Sequence, residues 1–174
     1  MTSRKPQVPH PTVLVLVTDQ QSCDRLIYAG RQLADQNRCT LEVLNIARFG
    51  AEPDPQAIEH LYQTSREANA RMTVRYSEEP ERSLTQTLTE QLPRIVVTGM
   101  PGGGSDLLPR LWTRFEYLTF YTVDPGGCVQ EVTAVDRALV ERRVTKNKED
   151  QRHEKKHLYP AFQRREKHAF RLSV

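Results

Sequence analysis

Thr12-Val-Leu-Val-Leu-Val17, followed by Thr18-Asp-Gln-Gln-Ser22, is the stretch that decides how this chain folds. Six uncharged residues rich in valine predict a strand buried on both faces, as in the interior of a parallel sheet. A polar turn comes next. Leu26, Ile27, Gly30, Leu33 and Ala34 then recur at helical spacing, up to a stop near Asn37. Strand, turn and amphipathic helix in that order open an α/β domain.

The same alternation continues outward. Thr40 to Ile46 reads as a second strand through Leu41, Val43, Leu44 and Ile46. Asp54-Pro55 supplies an N-cap with proline at the first helical position, and Ile58, Leu61, Tyr62 and Ser65 continue that helix. Arg71-Met-Thr-Val-Arg-Tyr76 differs in kind, since Met72, Val74 and Tyr76 alternate with Arg71, Thr73 and Arg75. Charge along one face suits an edge strand. Pro80 opens a helix striped by Leu84, Leu88 and Leu92 and ended by Pro93. Ile95-Val-Val-Thr98 is again apolar throughout, hence central. A weak helix spans about 107–115, and Leu118 to Val123 is the fifth strand.

Helical crossovers between strands require a largely parallel sheet with right-handed connections. The order 3-2-1-4-5 puts the two apolar strands in the middle and the charged third at an edge. The order 2-1-3-4-5 would bury Arg71 and Arg75 mid-sheet, so the first order is favoured. Its topological switch lies between strands one and four, where open α/β sheets hold ligands beyond the strand carboxyl ends. Two loops meet there: Thr18 to Ser22, and Gly99-Met-Pro-Gly-Gly-Gly-Ser105. Gly99, Gly102, Gly103 and Gly104 let backbone N–H groups approach a phosphate, with the next helix terminus behind them. Asp19 could accept hydrogen bonds from a base or ribose, and it serves equally as a turn or capping residue. Without a Gly-Lys-Ser/Thr the loop is no Walker A motif, and a glycine loop of this kind is also commonly a tight turn.

The composition, 37% hydrophobic and 27% charged in 174 residues, fits one globular domain with an appendage. No apolar run approaches the roughly 20 residues of a membrane helix, and the first eleven residues, with three prolines, carry no secretory h-region. They read as a flexible lead-in. Cys23, Cys39 and Cys128 are odd in number and widely spaced, which suits a reducing, cytoplasmic setting without disulfides or a zinc knuckle.

Catalytic constellations are missing from the pattern. His153-Glu-Lys-Lys-His157 matches the metalloprotease spacing, but two lysines inside it and charged residues ahead of it make it a chance match on a solvated helix, and no metal is expected. The acid cluster of a receiver domain, the hydroxyl-rich loop of a flavodoxin and any Ser/His/Asp or Cys/His set are also lacking. The expectation is a protein that binds or regulates and is not an enzyme.

The segment Val13-Leu-Val-Leu-Val-Thr-Asp-Gln-Gln-Ser-Cys-Asp-Arg-Leu-Ile-Tyr-Ala-Gly-Arg-Gln-Leu-Ala34 resembles the opening strand, turn and first helix of the universal stress protein family. It is especially similar to the stress-protein domain of bacterial potassium-sensor histidine kinases. The resemblance covers about residues 12–124 and implies an open, Rossmann-like sheet of the adenine nucleotide alpha hydrolase-like kind. ATP-binding members carry Gly-x2-Gly-x9-Gly-Ser/Thr after the fourth strand. Gly99 and Gly102 match the first two glycines and Thr113 the hydroxyl position, but Trp112 stands at the third glycine. The implied ligand is therefore ATP, AMP or none. Thr18, Asp19, Ile46, Gly99, Gly102, Gly103, Gly104, Ser105 and Thr113 form the candidate nucleotide set. The resemblance also implies a homodimer through the fifth strand, with Leu118, Phe120, Tyr121 and Val123 at the interface.

A domain over 12–128 is thus expected to precede a basic extension over 129–174. Residues 1–136 hold 13 Lys and Arg against 17 Asp and Glu, a net of −4, whereas 137–174 hold 12 against 5, a net of +7. Val129, Val132, Val135, Leu139 or Val140, and Val144 predict a helix from about 131. The cations beyond it suit an acidic protein or a nucleic acid, or else a solvated tail.

Overall fold

The computed structural model describes residues 10–102, 105–142 and 145–146. In chain order the elements are β1 (Thr12–Val17), α1 (Asp24–Asn37), β2 (Thr40–Arg48), α2 (Pro55–Glu67), β3 (Arg71–Ser77), α3 (Pro80–Gln91), β4 (Ile95–Gly99), α4 (Leu107–Arg114), β5 (Thr119–Val123) and β6 (Val129–Glu131). The sheet order is β3-β2-β1-β4-β5-β6. The first five strands are parallel, as the sequence requires, and β6 is antiparallel to β5.

Hydrophobicity explains the placement. Val13, Leu14, Val15, Ile95, Val96 and Val97 are all buried in the two central strands. β3 alternates between exposed and half-buried residues, as an edge does. Because the chain reverses direction after β3, right-handed crossovers put α1 and α2 on one face and α3 and α4 on the other. On the first face Val15, Val43 and Val97 pack with Leu26, Ile27 and Leu61. Leu14, Leu44, Val96 and Phe120 alternate to the second face, where Leu84, Leu88, Leu111 and Trp112 are also buried. Asp54 caps α2 as its Asp-Pro pair predicts, with Oδ1 accepting from the Gln56 and Ala57 amides at 2.9 and 3.4 Å. Gly30 lets α1 sit hard against the sheet, since a Cβ there would lie 2.4 Å from Val15 Cγ2.

Two expectations are corrected at the far side of the sheet. Val129–Glu131 is a strand and not the start of a helix. Asp124-Pro-Gly-Gly-Cys128 folds as a turn in which the Asp124 amide donates to Cys128 O and Gly127, at φ +85°, donates to Asp124 O. Asp124 Oδ1 also accepts from the Cys128 amide at 2.8 Å. The chain therefore doubles back, Val129 packs on the core and Val132 is buried. This takes both residues out of the valine stripe that suggested a helix. As a result β5 has no free edge, because β6 occupies it, and Val132 N extends the ladder to Phe120 O at 2.8 Å.

The chain divides into two compact units, one up to Val132 and one from Thr133. In the second, residues 134–142 are helical. Thr133 and Asp136 cap that helix reciprocally: Asp136 Oδ2 accepts from the Thr133 amide and hydroxyl at 2.8 and 2.7 Å, and Asp136 N donates to Thr133 Oγ1 at 3.3 Å. Hydrogen bonds from Thr133, first from its hydroxyl and then from its amide, hold the Asp136 carboxyl below the usual aspartate range. No described helix is long and apolar enough to cross a membrane.

Candidate functional site: the switch-point crevice

β1 and β4 pair directly, Val15 opposite Val97, so their carboxyl ends open side by side at the point where the strand order reverses. On the β1 side Thr18 and Asp19 are exposed. The chain then tightens into a 3-10 turn over Gln21–Cys23, with Cys23 N donating to Gln20 O at 2.9 Å and Thr18 Oγ1 3.4 Å from Cys23 Sγ. Asp19 Oδ2 accepts from the Asp54 amide at 3.2 Å, which ties this loop to the start of α2. Its structural role is therefore real, and its other carboxylate oxygen carries no protein partner among the described residues.

Below the loop lies a residue that sequence reasoning missed. Asn45 is 3% exposed, and its Nδ2 donates to Val17 O at 3.0 Å. Its Oδ1 is buried with no hydrogen-bond partner among the described residues. The available clue was an amide inside the apolar run of Leu41 to Ile46. Ile46 itself is half-buried and alternates to the opposite face.

On the β4 side Gly99 is half-buried and Gly102 exposed. Neither has a positive φ. Among the described residues, a Cβ on Gly102 would meet nothing within 4 Å, and one on Gly99 would meet only Arg25 Nη2, at 3.9 Å. Neither turn geometry nor packing calls for glycine at these two positions. Ser105 closes the loop, its amide donating to Gly102 O at 3.3 Å and its Oγ accepting from the Leu107 amide at 3.4 Å. Gly103 and Gly104 lie outside the described residues. Thr113 sits within α4, where its hydroxyl donates to Arg110 O at 3.1 Å and Pro109 O at 3.4 Å, and Trp112 beside it is a buried core residue. The third-glycine position of the family pattern is thus an ordinary helical position here.

Arg25 was also missed. It is half-buried in the first turn of α1 and spans the end of β4. Its Nε donates to Asp124 O at 2.9 Å, its Nη1 to Ser22 O, and its Nη2 passes Gly99. One arginine in an amphipathic helix carries no sequence mark of such a role. Nearby, Asp24 Oδ2 is 3.0 Å from His60 Nε2. Of the residues expected at a dimer interface, Leu118, Phe120 and Val123 are buried within the chain and Tyr121 is half-buried. Tyr121 OH donates to Glu131 Oε2 at 3.3 Å. Burial raises the Tyr121 pKa, and the charge of Glu131 and this hydrogen bond raise it further.

Among the described residues no group of three or more His, Cys, Asp or Glu is placed to hold a metal ion. The His153–His157 motif, and with it most of the basic extension, lies outside the described residues.

A largely parallel open sheet whose strand order reverses between β1 and β4 defines a doubly wound α/β domain. More narrowly, the fold is that of the universal stress proteins. A universal stress protein solved in complex with cAMP aligns with a TM-score of 0.52 at 17% identity, covering 67% of this chain and 98% of that one. A family member from Burkholderia pseudomallei aligns at 0.45 and 14% identity over 68% of this chain and 98% of its own. One from Archaeoglobus fulgidus aligns at 0.49 and 11% identity over 66% and 93%. No family model and no curated protein sequence matches the chain.

Proposed function

We propose that this chain is a non-catalytic regulatory domain of the universal stress protein kind that binds an adenine nucleotide in the β1/β4 crevice. The observation that carries this reading is the pair Gly99 and Gly102, two glycines that the fold itself does not need, at the position where a phosphate would approach the backbone. The cAMP bound by the structural relative points to the same ligand class. With Trp112 in place of the family's third glycine, a monophosphate such as AMP or cAMP suits the crevice better than ATP. Free cysteines at positions 23, 39 and 128 fit a cytoplasmic setting.

The test is a thermal-shift titration with AMP, cAMP and ATP. A ligand that binds only the folded state at 100 times its Kd stabilises by about 2.7 kcal/mol, so the melting temperature must rise. Gly102→Val should leave the unliganded melting temperature unchanged, because its side chain meets open space, and abolish the shift. No shift with any nucleotide at millimolar concentration refutes the reading.

A second reading rests on the charge asymmetry, net −4 over residues 1–136 against +7 over 137–174. In this reading the extension captures an acidic protein or a nucleic acid, and deleting 137–174 removes that capture while the sheet domain stays folded. A homodimer built by sheet pairing would have to use the outer edge of β6 or of β3, since β5 is covered. Light scattering of the purified chain decides its oligomeric state.

A further inference from the structure

Half-buried cations ordinarily find a carboxylate, because desolvating an unpaired charge is costly. Arg31 on α1 shows the usual solution: half-buried, it donates through Nη1 to Ala68 O at 3.2 Å and pairs through Nη2 with Asp35 Oδ1 at 2.6 Å. Arg25, on the same helix, does not follow it. Its two protein partners are neutral carbonyls, Asp124 O and Ser22 O, and among the described residues it makes no ion pair.

The acids around it are turned elsewhere. Asp24, next in the chain, faces His60. Asp124, whose carbonyl Arg25 holds, aims its carboxylate at the Cys128 amide. Asp19 holds the Asp54 amide. The guanidinium is therefore held at Nε by the carbonyl of Asp124, after β5, and at Nη1 by that of Ser22, in the loop after β1. Its Nη2 donors have no acceptor among the described residues and lie 3.9 Å from where a Cβ on Gly99 would stand.

We infer that Arg25 is the counter-charge for a phosphoryl group bound in this crevice, its open Nη2 edge pairing with phosphate oxygens next to Gly99. A guanidinium suits this because it stays charged at any working pH and presents donors in a fixed plane. The inference deepens the nucleotide reading by naming the ligand group that this wall takes. It rests on that reading only for the location of the site.

The experiment is calorimetric titration of the full chain and of Arg25→Gln and Arg25→Lys with AMP, adenosine and inorganic phosphate. The wild-type chain should bind AMP about tenfold or more tightly than adenosine, the usual scale for a hydrogen bond to a charged group. Arg25→Gln should lose that preference while binding adenosine unchanged, and Arg25→Lys should keep part of it. Inorganic phosphate should compete with AMP in the wild type. A wild type that binds AMP and adenosine equally overturns the inference, and that result needs no variant to fold. So does an Arg25→Gln protein that melts lower yet keeps the preference, since Arg25 would then only brace Ser22 and Asp124. Phosphate binding that depends on Arg25, without any adenosine or AMP binding, sinks the nucleotide reading and leaves the inference standing. Adenosine binding without a phosphate preference does the reverse, and failure of every probe to bind overturns both.

Discussion

The two flanks of the sheet are built on opposite plans. On one side β3 lies parallel to β2 over a seven-residue register from Glu42↔Arg71 to Arg48↔Ser77. It is guarded by charge, with Arg71 paired to Glu42 at 2.5 Å and Arg75 donating to Thr87 Oγ1 at 2.7 Å. On the other side β6 is three residues long, antiparallel, and fastened by the Asp124–Cys128 turn. The long flank depends on crossover helices and distributed packing. The short flank depends on a few local hydrogen bonds and one glycine conformation. Damage to the first should therefore be global, and damage to the second confined.

The strongest way to break that contrast is Phe120→Ala. Phe120 is fully buried under the short flank, and its loss should cost about 3–5 kcal/mol in urea unfolding. A cost that large would show that β5 belongs to the common core although its outer neighbour β6 adds only Val129 to it. Gly30→Ala should cost about 1–3 kcal/mol, because the stiff Val15 side chain has nowhere to move. Gly127→Ala, at φ +85°, should cost about 1 kcal/mol or somewhat more. Hydrogen exchange should then quicken at Cys128 and Val132 but not along β3.

Alkali should act on the same flank. The folded Tyr121 pKa lies above its unfolded value, so the neutral phenol is the form the hairpin favours. Its contribution is full below about pH 10 and is lost as the pH climbs through the folded pKa. Exchange at β6 should accelerate there, and less so in Glu131→Gln. Smallest of all, Thr73→Val on exposed β3 should change stability by no more than about 0.5 kcal/mol. A larger loss would mean that this edge is less tolerant than its register suggests.

Much of this was written in the residues. Val13 to Val17 and Ile95 to Thr98 are apolar on both faces, and Arg71 to Tyr76 is charged on one, so burial alone ordered the strands. β6 escaped because Val129, Val132 and Val135 are spaced like a helical stripe, although Asp-Pro-Gly-Gly just before them has the composition of a turn. In the crevice, Thr18, Asp19 and Gly102 were legible as loop residues after central strands, and Gly99 closes β4 itself. Arg25 and Asn45 were not, because which backbone carbonyls they reach depends on distant segments of the chain. The motif counted along the chain runs on past the loop, so that its last two positions, Trp112 and Thr113, fall within α4.

The contact between Gly30 and Val15 has a consequence for specificity. A helix seated that closely cannot slide lengthwise without steric collision, so α1 behaves as a keyed shaft. Arg25 lies five residues further toward its amino end, about 7.5 Å along the axis. The seat of the shaft therefore fixes where the Arg25 side chain starts, and the carbonyls of Ser22 and Asp124 fix where its guanidinium ends. Side-chain substitutions in either loop keep both backbone carbonyls, so the position of the positive charge should survive them.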